Sequence, residues 1–86
     1  MTSDLSTRVN IGKETEARLI EVGIDNFKSL KTIGSEGAFL RLQTIDPGAC
    51  LNLLYALEGA VAGVRSKDLA PEKKQALQQF YKRVKK

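Results

Sequence analysis

The sequence predicts a small all-α domain. Three observations carry this: apolar residues recur at helical spacing, clusters of Gly, Pro, Asn and Asp stop each run, and no segment alternates as a strand would. The 86 residues leave room for one core and exclude a second domain. A hydrophobic fraction of 42% and a charged fraction of 28% are those of an ordinary globular chain, outside the disordered regime. The expectation is a compact five-helix single domain over residues 8–86, behind a flexible N-terminal tail, residues 1–7, without a role.

Asn10, Ile11 and Gly12 form the opening turn, since Asn and Gly tolerate strained backbone angles. The first helix covers residues 13–22, with Ala17, Ile20 and Ile24 on its apolar face and Leu19 broadening it. Gly23 suits a left-handed C-terminal cap, and Ile24 just beyond it can fold back onto the helix. Asp25 or Asn26 caps a short second helix bearing Phe27, Leu30 and Ile33, which Gly34 ends. Ser35 caps a third, running to about Ile45, with Ala38, Phe39, Leu42 and Ile45 inward, and Asp46, Pro47 and Gly48 break the chain.

The fourth helix, residues 49–63, is apolar almost all round, the mark of a central helix. Asn52, Ala56, Gly59 and Gly63 form a stripe along it where another helix backbone could approach closely. Two glycines in a helix weaken it by about 1 kcal/mol each relative to alanine, and close packing would compensate. Residues 65–70 are a polar connection. Pro71 and Glu72 then open a fifth helix with Leu77, Phe80, Tyr81 and Val84 on its inner face.

Composition excludes several functions. There is no histidine and a single cysteine, Cys50, so neither an internal disulfide nor a thiolate–imidazole zinc site can be assembled. Cys50 at a helix start is read as a small residue rather than a nucleophile, for want of an imidazole base. The longest apolar window is too short to cross a bilayer, and the N-terminus has no secretory-signal pattern, which makes the cytoplasm the expected compartment. The formal charge is +4, and residues 71–86 hold six Lys or Arg against Glu72 alone, so the basic excess belongs to the last helix.

Taken together these residues resemble the C-terminal domain of the TfoX/Sxy family of bacterial competence regulators. The resemblance runs over about residues 9–69 and is most specific in LNLLYALEGA, residues 51–60. Asn10–Ile11–Gly12, Gly23–Ile24, Leu30, Ile33, Gly34 and the run Phe39, Leu40, Arg41, Leu42 support it in order and spacing. Family members often carry a tryptophan shortly after the signature helix, where this chain has Arg65 and Ser66. They also commonly carry a further domain ahead of this one, absent from these 86 residues. The resemblance implies a helix-hairpin-helix/SAM-like fold and an association with DNA uptake or transcriptional control. It implies no reaction.

The candidate nucleic-acid contacts are Gly12, Lys13 and Thr15 at the first helix N-terminus, where unpaired amides and the helix dipole favour an anion. Lys73, Lys74, Lys82 and Arg83 of the last helix are the supplementary ones. Helix-hairpin-helix modules usually have glycine where Asn10 stands and a small residue where Glu16 stands, and a purely structural turn is the competing reading. Arg41, Glu58, Asn52 and Gly59 are read as structural, with an ion pair expected between Arg41 and Glu58. The sequence therefore describes a non-enzymatic regulatory module without cofactor, metal or membrane. Its expected partner is double-stranded DNA, and the alternative is a protein interaction adaptor or homodimer.

Overall fold

The computed structural model describes residues 5–7, 9–46 and 48–85. Among them lie four α-helices, α1 (Lys13–Glu21), α2 (Phe27–Gln43), α3 (Leu51–Ala62) and α4 (Pro71–Val84), with 3-10 turns at Leu5–Thr7 and Ser66–Asp68, and no strand. Four helices stand where five were expected, because the second and third expected helices are joined end to end within α2, with a break in helical geometry between them at Gly34. Gly34 has φ 84° and ψ 165°, a region essentially reserved for glycine, so the helical path is interrupted there, as expected, and resumes at Ser35. Pro47, the expected breaker, lies outside the described residues.

Local chemistry sets each boundary. Asn26 caps α2, its Oδ1 accepting from the Ser29 amide at 2.8 Å. The end of α1 is a Schellman turn: Gly23, at φ 89°, donates to Ile20 O (3.0 Å) and Ile24 donates to Leu19 O (2.8 Å). Leu19 and Ile24, which flank that turn, are both fully buried. The same pattern closes α3, where Gly63 (φ 78°) donates to Ala60 O and Val64 to Gly59 O (2.9 Å). Asp46 holds the α2–α3 connection, its Oδ1 accepting from the Gly48 amide at 3.0 Å.

The core is built from Leu30, Ala38, Phe39 and Leu42 of α2, Leu54, Leu57 and Ala60 of α3, and Leu77 and Phe80 of α4. Phe39 meets Tyr81 edge to face, with centroids 5.9 Å apart. Gln78 Nε2 donates to Tyr55 Oη at 2.8 Å and Lys73 lies beside Glu58, so α4 runs antiparallel to α3. Gln43 Nε2 donates to Val84 O at 3.2 Å, which sets the end of α4 against the end of α2. The radius of gyration, 11.8 Å, matches the value of about 12 Å expected for a compact chain of this length.

Three expectations are corrected by packing. Leu5 is fully buried in the core, so residues 5–7 are not a loose tail; residues 1–4 lie outside the described set. On α1 the buried side chain is Leu19, whereas Ala17 and Ile20 are exposed. Its covered face runs through Thr15, Leu19 and Val22 rather than Ala17 and Ile20, while Ile24, beyond the turn, is buried as expected. Ile45 also faces outward, because the helix ends at Gln43 before reaching it.

Candidate nucleic-acid interface

Asn10 is the only non-glycine residue with positive φ (71°) among those described, and its side chain explains why asparagine stands there. Nδ2 donates to Val64 O at 2.9 Å and reaches Ala56 O at 3.5 Å, while Oδ1 accepts from the Ser66 amide at 3.3 Å. Glycine could adopt the same backbone angles but could not make these bonds. One side chain therefore buckles the opening turn to the loop that follows α3.

Gly59 lies beneath the buckle and is buried. A Cβ there would collide with the Asn10 amide, lie 2.6 Å from Val64 O and 3.3 Å from Ser66 N. The close approach expected at Gly59 is real, but what approaches is a side chain and a loop, not another helix. Asn52, at the far end of the stripe, is exposed, and Gly63 serves as the left-handed cap.

The first turn of α1 follows directly. Gly12 is its N-cap, at φ −89° and ψ 177°, ordinary extended backbone, with nothing near its Cβ position and no side-chain cap on the helix. Gly12 and Lys13 are exposed and Thr15 is half-buried. Glu16 donates its amide to Gly12 O at 2.9 Å, beginning the ladder and leaving the preceding amides without intrahelical acceptors. Glu14 pairs with Arg18 (2.9 Å), which also bonds Asp46 (3.0 Å), so its charge is partly offset.

The buckle ties the opening turn to the loop that carries Arg65 and Lys67, both exposed, and Lys67 O accepts from Lys74 Nζ at 3.3 Å. Lys13, Arg65, Lys67 and Lys74 thus belong to one end of the domain. Lys82 and Arg83 do not: α4 carries them to the end marked by Gln43, about 13 Å from Lys74 along the helix axis. Arg83 lies over the Phe80 ring at 5.9 Å. The structure divides the sequence-named cations into two sets, and it adds Arg65 and Lys67, whose closeness to Gly12 rests on a hydrogen bond between residues 56 apart in sequence.

The expected Arg41–Glu58 pair does not form. Arg41 is exposed and donates to Val22 O at 3.2 Å, capping the end of α1. Glu58 instead accepts from the Ser35 hydroxyl at 2.6 Å and has Lys73 Nζ 3.8 Å from its other oxygen. Ser35 is buried, so this bond ties the second half of the bent α2 to α3. A cleft of about 270 Å³, lined by Ile33, Gly34, Ser35, Glu58, Lys73 and Leu77 among others, opens beside it. The hydroxyl donates its proton to Glu58, an arrangement that suits a tie better than a nucleophile. Among the described residues no group of three His, Cys, Asp or Glu could hold a metal, and no helix is long and apolar enough to cross a membrane.

A four-helix domain with a buckled N-terminal turn and the LNLLYALEGA helix at its centre defines the class, and the chain belongs to the TfoX C-terminal domain family, whose sequence profile matches residues 1–81. That match takes in both the segment expected to be a tail and most of α4, beyond residues 9–69. Among relatives, the chain is similar to Protein Sxy of Escherichia coli K12, with 31% identity over 71 residues, covering 83% of this chain and 34% of Sxy. It therefore spans about a third of that protein's length. Among solved structures it is similar to an uncharacterized protein from Listeria monocytogenes in a triclinic crystal form, with TM-score 0.91, 45% identity, and coverage of 93% of this chain and 91% of that one. A Listeria monocytogenes protein of unknown function in a tetragonal form gives TM-score 0.89 and 46% identity, covering 92% and 98%.

Proposed function

We propose that this domain is a non-enzymatic regulatory module of the competence-regulator type that associates with duplex DNA through its opening turn, in a helix-hairpin-helix-like manner. The observation that carries the reading is the Asn10 buckle, which holds the uncapped start of α1 next to a loop bearing two exposed cations. Helix amides and side-chain cations are the two groups that recognise phosphate. The exposed thiol of Cys50 suits a reducing compartment, the cytoplasm.

The test is affinity for generic duplex DNA across a salt series. The reading expects the association constant to fall steeply with salt, and Lys13→Glu to weaken binding further. A flat salt response would sink it. A second reading, a protein adaptor or homodimer, is favoured by the exposure of Ile20, Leu40 and Ile45. A mass in solution twice that of the chain, with no DNA affinity, would favour that alternative.

A further inference from the structure

We infer that the phosphate-contacting cations are Arg65 and Lys67, on the loop after α3, and not Lys82 and Arg83 at the end of α4. The inference rests on the DNA reading above and deepens it by naming the residues that meet the duplex.

Placement distinguishes the two pairs. The Ser66 amide and Val64 carbonyl, bonded to Asn10, bracket Arg65, so its backbone is pinned from both sides to the opening turn. The Ser66–Asp68 3-10 turn closes with the Asp68 amide donating to Arg65 O at 2.9 Å, and Lys74 Nζ holds Lys67 O. The loop is thus anchored at residues 64, 65, 66 and 67 through its backbone, while among the described residues neither the Arg65 nor the Lys67 side chain is in an ion pair. A fixed backbone with uncommitted charged side chains lowers the ordering penalty of gripping phosphate. Asp68 is the acid in the same turn. Lys13 and Lys74 bring further positive charge to this end.

The distal pair is placed differently. Lys82 and Arg83 lie in the last turn of α4, where cations offset the helix dipole, and Arg83 packs over Phe80. A structural account covers them.

Two double variants with the same change in net charge separate the possibilities: Arg65→Ala/Lys67→Ala and Lys82→Ala/Arg83→Ala. Each is measured for affinity to a generic duplex over a salt series, with thermal melting as the folding control. The inference expects the loop pair to weaken binding at least about fivefold and to reduce the salt slope by roughly one for each phosphate no longer neutralised, with the distal pair changing affinity less than about twofold. Equal losses from both pairs would mean that net charge alone matters and would overturn it, as would a larger loss from the distal pair. If the unaltered chain shows no salt-dependent binding, the DNA reading falls and this inference with it. Binding that is present but indifferent to the loop pair removes only the inference. Should a loop variant melt early, Arg65→Lys/Lys67→Arg, which keeps both charges, must restore the affinity; failure to do so overturns the assignment.

Discussion

Gly59→Ala separates this structure from a reading of helix propensity alone. In a helix interior the change should stabilise by about 1 kcal/mol. Here the new methyl would displace the Asn10 amide and sit 2.6 Å from Val64 O, well inside ordinary contact. Displacing Asn10 loses its bonds to Val64 and Ser66, at about 1 kcal/mol each. Pushing Val64 outward also strains the 2.9 Å bond from its amide to Gly59 O that closes α3. Two bonds and the strained cap, about 3 kcal/mol in all, outweigh the propensity gain and leave a net loss of about 2 kcal/mol. For a domain this size that lowers Tm by roughly 8 to 16 °C. Thermal melting by circular dichroism reads it. An unchanged or raised Tm would refute the buckle. Asn10→Gly, which keeps the positive φ but loses the side chain, should cost about 1 to 2 kcal/mol on its own. Because the two residues touch, Gly59→Ala should cost measurably less in that background, with a coupling of about 0.5 kcal/mol or more.

Other outcomes follow from the same packing. Gly34→Ala should destabilise by about 1 to 3 kcal/mol through its φ and ψ alone, since nothing crowds its Cβ position, whereas Gly12→Ala, with ordinary φ, should stay within about 0.5 kcal/mol. Denaturant melts of the pair check this, and equal effects would contradict it. Leu5→Ala should cost about 2 to 5 kcal/mol because the side chain is fully buried; a neutral result in the same assay would restore the tail reading. Ser35→Ala should cost about 1 to 2 kcal/mol by leaving Glu58 without its donor. A double-mutant cycle between Arg41 and Glu58 should give a coupling near zero, and a coupling above about 1 kcal/mol would mean the pair forms after all.

Much of the fold was legible because its signals are local. Gly23 ends its helix with the bonds that a left-handed residue allows, Asn26 caps the helix it precedes, and the Leu77, Phe80, Tyr81, Val84 spacing marks the covered face of α4, whereas Gly63, counted with the stripe inside its helix, is in fact a left-handed cap. The break at Gly34 was also visible, but the bond that ties the segment resuming at Ser35 to Glu58 of α3 joins residues 23 apart and was not. On α1 Ile24 folds back into the core beyond the Schellman turn as expected, but extending the helical period back from it to Ala17 and Ile20 put the covered face on the wrong side, because the period does not run through the turn.

The candidate site was less legible, because its defining bonds join Asn10 to residues more than fifty positions away. The residues show a turn and a basic helix, but not that the turn is tied to the loop after α3. It also paired Arg41 with Glu58 because both are polar residues in apolar helices. Geometry gave Glu58 to Ser35 and Lys73, and Arg41 to the end of α1.

The proposed role stands or falls on where a duplex touches the domain. Titrating generic duplex DNA at low salt into isotope-labelled protein, and following the backbone amide resonances, measures that. The proposed interface requires the shifts to concentrate at Gly12, Lys13, Thr15, Arg65 and Lys67, while Lys82, Arg83 and Lys85 stay quiet. Shifts centred on the end of α4, or none anywhere along the chain, would contradict it.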